Sequence, residues 1–254
     1  DGSLLNKDTF RFDEIEDYFR ELISIGIKII PNSSKTESEL LDFNKEYNLN
    51  LSFIAENGSS INGLNLIHKN LPQTILMSRT VDIIYEIFNK YIPYDLKQKI
   101  ILISKLDTNK QENIFGLPLN KIKLAMDRKH SIPIQFKGSE VEKNEFIKRI
   151  NNAGLTVQTG GRIMNICDKV NKSKAIAKTL ELISNEIQNE IITIGVGDNQ
   201  NDMDMLKVTD YSCLVKNYNF DSSLINIDNL IKSSEPSPLG WADVIKTAIQ
   251  KIET

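Results

Sequence analysis

Two aspartates, Asp198 and Asp202, stand four residues apart directly after the apolar run Ile191 to Val196. The stretch reads as a buried strand that enters an acidic turn at Gly197-Asp198 and opens a helix at Asn201-Asp202. In an open α/β sheet, ligands collect at the carboxyl ends of the strands. Carboxylates placed there can hold a hard divalent cation through oxygen. Asx-rich strand-to-helix turns also occur without any ligand, because Asn and Asp side chains mimic a backbone turn. The opening residues Asp1-Gly2-Ser3 form another short acidic segment, which alone reads as an exposed turn. Taken with the Asp198 loop, it suggests a second acidic strand end facing the same metal.

A different chemistry is offered by Ser33, Ser34 and Lys35, which follow the apolar residues Ile27 to Ile30 and precede a helical pattern. Free N–H groups at a helix start favour an anion such as a phosphoryl group. Either serine could instead simply cap the helix. Lys172 precedes the helix that leads into the Asp198 strand, and by itself reads as a surface charge.

The elements that must position these residues follow an α/β rhythm. Ile15, Tyr18, Phe19, Leu22 and Ile23 recur at helical spacing, and Gly26 is placed to end that helix. Ile27 to Ile30 reads as a strand buried on both faces. Leu40, Leu41 and Phe43 mark the next helix, and Leu51 to Ala55 the next strand. Such alternation implies a parallel sheet. From about residue 77 to 165 the rhythm is broken by Pro93, Pro118 and Pro133. Helices are expected at 80–91, 119–128 and 140–153, with strands at 133–136, 155–158 and 162–167. This region reads as an inserted domain, which divides the chain into 1–76, 77–165 and 166–254. The rhythm then returns, with helices at 174–187, 202–208 and 241–252 and strands at 191–196 and 211–215.

Composition narrows the classes. The 254 residues suffice for one large or two modest domains, and 40% of them are apolar. A net charge of −3 provides no global basic field for nucleic acid. The two histidines, His68 and His130, lie far apart, which argues against a histidine-built zinc site. Cys167 and Cys213 form no CxxC pair, so a reducing cytoplasm is the simpler setting. No apolar run reaches the roughly 18 residues of a membrane span, and no secretory signal is visible.

Together the segments Asp1-Gly2-Ser3, Ser33, Lys172 and Gly197-Asp198…Asp202 resemble, in order, the four motifs of haloacid-dehalogenase (HAD) superfamily phosphatases. The resemblance covers essentially the whole chain. It implies a Rossmann-like parallel α/β core with an inserted α+β cap of the C2 type. Glu56-Asn57-Gly58 resembles a turn of that subgroup. Within it, Asn32 to Thr36, the Arg128…Ser131…Pro133 segment, Gly160-Gly161-Arg162 and Pro238 to Trp241 are similar to the mannosyl-3-phosphoglycerate phosphatase family. The chain departs from that pattern at Lys129-His130, at Ile132 and at Ser237.

The resemblance implies roles. Asp1 matches the general acid and base, and its backbone carbonyl would join Asp198 and Asp202 around Mg²⁺. Ser33 and Lys172 would hold the phosphoryl oxygens. Ser34, Lys35, Arg128, Gly161 and Arg162 would contact the remainder of a phosphorylated sugar or glycerate, with Arg162 as the foremost carboxylate ligand. The nucleophilic aspartate is expected two positions before Asp1, so the natural protein is expected to be longer. The resulting expectation is a Mg²⁺-dependent phosphomonoester hydrolase working through an aspartyl-phosphate, with no nucleic-acid or membrane partner. A sugar phosphomutase of the same superfamily and a non-catalytic binding protein are the alternatives.

Overall fold

A computed structural model describes residues 2–159, 163–221 and 225–254. The chain forms two compact units, one made of residues 30–175 and the other of residues 1–29 and 176–254.

The 30–175 unit starts with an irregular segment rather than the expected strand at 27–30. No ladder forms there, and the pairing is a single parallel bridge between Asn32 and Ile54. Its two hydrogen bonds run from Ile54 N to the Pro31 carbonyl and from Ser33 N to the Ile54 carbonyl. Pro31 itself brings no N–H, so the pairing cannot extend through it. The helix Glu37–Glu46 is capped by Thr36, and neither Ser33 nor Ser34 takes that place. Thr36 Oγ1 accepts from Glu39 N while the Glu39 carboxylate accepts from Thr36 N. Leu40 on this helix packs with Phe53 and Ala55.

Phe53–Ala55 is β1, and it pairs antiparallel with β2 (Ser60–Asn62), which pairs with β3 (Thr74–Leu76). The strand thus keeps its parallel bridge to Asn32 on one edge and gains a hairpin on the other. The cause is local: Glu56, Asn57 and Gly58 all have left-handed backbones, with φ of 44°, 58° and 101°, and fold the chain straight back. Gly58 is required there, because a Cβ would lie 2.3 Å from the Asn171 carbonyl oxygen.

Residues 81–167 build a second sheet of order β4-β5-β7-β6, antiparallel throughout, from Ile100–Leu102, Ser131–Phe136, Thr156–Thr159 (β6) and Met164–Cys167 (β7). Its inward positions alternate as a pleat demands: Ile132, Ile134, Met164 and Ile166 bury one face. The helices Val81–Tyr91 and Glu140–Asn152 cover that face through Ile84, Phe88, Phe146 and Ile150. The eight buried side chains named here, at ~1.5–3 kcal/mol each, hold the sheet and its two helices together as one layer.

In the other unit, β8 (Ile194–Gly197), β9 (Tyr211–Leu214) and β10 (Ile231–Lys232) form a parallel sheet of order β10-β9-β8. Met203, Met205, Leu206 and Leu214 cluster on it. The closing helix Leu239–Ile252 buries Trp241, Val244, Ile245 and Ala248. Trp241 meets Phe19 of the first helix, Glu16–Ser24, at a ring separation of 5.6 Å. Among the described residues, no helix is long and apolar enough to cross a membrane.

Candidate active site

Asp198 lies at the carboxyl end of β8, as the apolar run into Gly197 predicts, and is only 7% exposed. Its Oδ1 accepts a hydrogen bond from Ser3 Oγ at 2.8 Å, and its Oδ2 accepts from Asn217 Nδ2 at 2.9 Å. Asn217 Nδ2 also reaches the Asp198 carbonyl at 3.2 Å. Both donors are neutral, so they orient the carboxylate without cancelling its charge. Gly2 is pressed against the same group: a Cβ there would lie 2.4 Å from Asp198 Oδ2. The carboxylate oxygens of Asp198 are hard donors of the kind that suits a cation such as Mg²⁺.

Asp202 sits behind this carboxylate. Its Oδ2 accepts from the backbone N–H groups of Asp198 at 3.0 Å and Asn199 at 3.3 Å. Gly197 allows the close approach, since a Cβ there would be 2.4 Å from Asp202 Cβ. Asp202 therefore fixes the backbone from which Asp198 projects. Spacing identified both aspartates; it did not identify Asn217, whose only sequence signal is an amide shortly after the β9 strand.

In the 30–175 unit, Ser33 is half-buried and its Oγ accepts from Lys35 N at 3.2 Å. Its carbonyl takes the Asn57 N–H at 2.8 Å, which ties it to the left-handed turn. Ser34 is exposed, and its carbonyl accepts from Arg128 Nη1 at 3.3 Å. Lys172 is the first residue of the helix Lys172–Glu186. Asn32 Nδ2 donates to its carbonyl at 3.2 Å, so the residue beside Ser33 holds the start of the Lys172 helix.

Lys35 is largely buried, with 16% of its side chain exposed and Glu39 3.8 Å away. Burial pushes its ammonium below the ordinary range; Glu39 pulls it back, and the charges of Arg128 and Lys121 push it down again. Lys121 itself bridges Asp42 and Glu46.

The residue sequence reasoning passed over is Glu56, noted only as part of a turn. It is 3% exposed, and its carboxylate accepts from Lys129 N at 2.8 Å, His130 N at 3.3 Å and Ser131 Oγ at 2.5 Å. It thereby anchors the segment that carries Arg128. A second anchor missed by spacing is the ion pair of Arg79 with Asp168. Burial would raise the Asp168 carboxyl, but hydrogen bonds from the Arg79 side chain and backbone hold it below the usual carboxylate range. The two thiols are poor nucleophiles, because burial pushes both Cys167 and Cys213 up to about 12. Three of the sequence-predicted residues, Asp1, Gly161 and Arg162, lie outside the described residues.

Comparison with known proteins identifies the family and the fold. A family model described as haloacid dehalogenase-like hydrolase matches residues 1–232. A glucosyl-3-phosphoglycerate/mannosyl-3-phosphoglycerate phosphatase of Methanococcoides burtonii is 29% identical over 271 residues, spanning 99% of this chain and 95% of the relative. The phosphatase of the same name from Persephonella marina is 24% identical over 264 residues, spanning 100% and 96%. Among solved structures, a phosphatase of the haloalkanoate superfamily from Bacteroides thetaiotaomicron superposes with a TM-score of 0.68 at 14% identity, covering 97% of this chain and 91% of its own. That likeness is one of fold.

Proposed function

The chain belongs to the haloacid dehalogenase-like hydrolase family, and from that premise we propose that this phosphatase is a Mg²⁺-dependent hydrolase of glycosyl-phosphoglycerates. The observation that carries the reading is the buried Asp198 carboxylate at the end of β8, held by Ser3 and Asn217 and backed by Asp202. The named relatives supply the substrate class, a glucosyl- or mannosyl-3-phosphoglycerate.

In this reading Asp198 and the Asp1 backbone carbonyl hold Mg²⁺, with Asp202 fixing the loop behind them. Bound there, Mg²⁺ would neutralise charge on the phosphoryl oxygens. Asp1 donates a proton to the leaving oxygen and later takes one from water. Ser33 and Lys172 hold phosphoryl oxygens, the former by its hydroxyl and the latter by its charge. A carboxylate two positions before Asp1 attacks phosphorus, giving an aspartyl-phosphate that water cleaves. Ser34, Lys35, Arg128, Gly161 and Arg162 contact the glycosyl-glycerate portion. We also propose that residues 77–165 are the cap and that 1–76 and 166–254 are the core. The apolar cluster running from Ile84 to Ile166 supports a separate cap layer. Two buried, weakly acidic thiols suit a reducing, cytoplasmic setting.

The test is phosphate release from mannosyl- and glucosyl-3-phosphoglycerate by the full-length protein, with Mg²⁺ and after chelation. Release that stops on chelation and returns with Mg²⁺ is expected. Conversion to an isomer without free phosphate would instead favour a phosphomutase. Binding of the phosphoester without any turnover would favour a non-catalytic protein.

A further inference from the structure

Arg128 is the unusual cation of the 30–175 unit. Its side chain is 7% exposed. Nη1 donates to two neutral acceptors, the Ser34 carbonyl and Ser131 Oγ, at 3.3 and 3.2 Å. Nε is buried and has no hydrogen-bond partner. A buried donor without an acceptor is costly and uncommon, the more so on a charged group. Glu56 approaches only to 3.9 Å, and its oxygens are engaged by Lys129 N, His130 N and Ser131 Oγ. The guanidinium is therefore held firmly while one of its donors remains to be matched.

Lys35 adjoins Ser34 in the chain, and the charge of Arg128 adds to burial in disfavouring its protonated form. Two cations brought together out of solvent are stabilised by an anion. The nearby carboxylates Glu39 and Glu56, 3.8 and 3.9 Å from the two cations, already offset part of their charge. A guanidinium with an unmatched Nε is shaped for a planar, two-oxygen ligand.

We propose that Arg128, assisted by Lys35 and held by Glu56, is the subsite for a substrate carboxylate, and that it selects phosphomonoesters bearing one. The inference rests on the phosphatase reading above and moves the carboxylate contact from Arg162 to Arg128.

The experiment compares 3-phosphoglycerate with glycerol 3-phosphate, which lacks the carboxylate, and with p-nitrophenyl phosphate. The proteins are the full-length parent, Arg128→Lys and Arg128→Gln, each checked for thermal midpoint. The parent should prefer 3-phosphoglycerate. Arg128→Gln should lose on the order of 100-fold in kcat/KM on it, chiefly through KM, with the other two substrates within about threefold. Arg128→Lys should recover only part of the loss, because an ammonium cannot engage both oxygens. Thermal shift with D-glycerate reads the subsite without turnover: the parent should be stabilised and Arg128→Gln should not. Equal losses on all three substrates, or D-glycerate binding that survives Arg128→Gln, would overturn the proposal. A parent that binds D-glycerate but hydrolyses none of the three would sink the phosphatase reading and leave the subsite standing.

Discussion

The side-chain amide of Asn32 donates to the main-chain carbonyl of Lys172 at 3.2 Å, across 140 residues of sequence. Asn32 also stands opposite Ile54 in the parallel bridge. The bridge is made by its two neighbours, Pro31 through its carbonyl and Ser33 through its N–H, so the Asn32 side chain ties the first turn of the Lys172 helix to the segment that carries Ser33. The two proposed phosphate contacts are positioned by a shared residue.

Asn32→Ala should therefore weaken turnover of every phosphomonoester alike. We expect about a tenfold fall in kcat/KM, the equivalent of ~1.4 kcal/mol. Parallel kinetics on p-nitrophenyl phosphate and 3-phosphoglycerate check this. A loss confined to one substrate would place Asn32 in substrate selection instead.

Asp198→Asn should reduce activity by at least about 100-fold and abolish the response to added Mg²⁺, since a neutral amide is a weak ligand for a hard cation. Gly2→Ala should act on the same group from behind. Its φ of 83° strains an alanine, and the new Cβ would meet Asp198 Oδ2 at 2.4 Å. Mg²⁺ titrations with circular dichroism as a folding control are the measurement. A normal Mg²⁺ response in both variants would remove Asp198 from the metal site.

Glu56→Gln places an amide N–H opposite a backbone N–H of Lys129 or His130. Leaving such buried groups unmatched costs about 1–3 kcal/mol, to be read in a urea denaturation series. A midpoint equal to that of the parent would mean that the Glu56 contacts are dispensable.

The Arg79–Asp168 pair makes a pH prediction. Asp168 is held below its unfolded value of about 3.9. Its contribution is fully present above that unfolded value and is lost as pH falls through the depressed folded one. Asp168→Asn should lower the thermal midpoint at neutral pH, and the gap between variant and parent should close on acidification below about pH 4. A gap that stays constant down to pH 2 would show that the ion pair contributes nothing.

Elements with strong periodicity were legible from sequence. The helix Glu140–Asn152 and the strand Ser131–Phe136 fall within a few residues of expectation, because Phe146, Ile150, Ile132 and Ile134 mark their buried faces. The hairpin that joins Phe53–Ala55 to Ser60–Asn62 was not legible, since Ser60–Asn62 is short and partly polar and the turn uses left-handed Glu56 and Asn57. The helix Thr108–Phe115 was missed although Asp107 caps it and Gly116 ends it in a left-handed conformation. At the candidate site, the Asp198 loop is a local pattern and could be read. Asn217 and the grip of Glu56 could not, because these contacts cross 19 and about 75 positions and leave no spacing to detect.

Glu56 grips Lys129 through its backbone N–H and makes no use of the lysine side chain, which is exposed. Any residue other than proline can present that N–H. The position beside Arg128 is therefore one where mutational drift is buffered: side chains can be exchanged at the rim while the arginine keeps its aim. A saturation library at Lys129 should yield mostly folded, active enzymes that differ in substrate preference, with Lys129→Pro as the lone consistent failure.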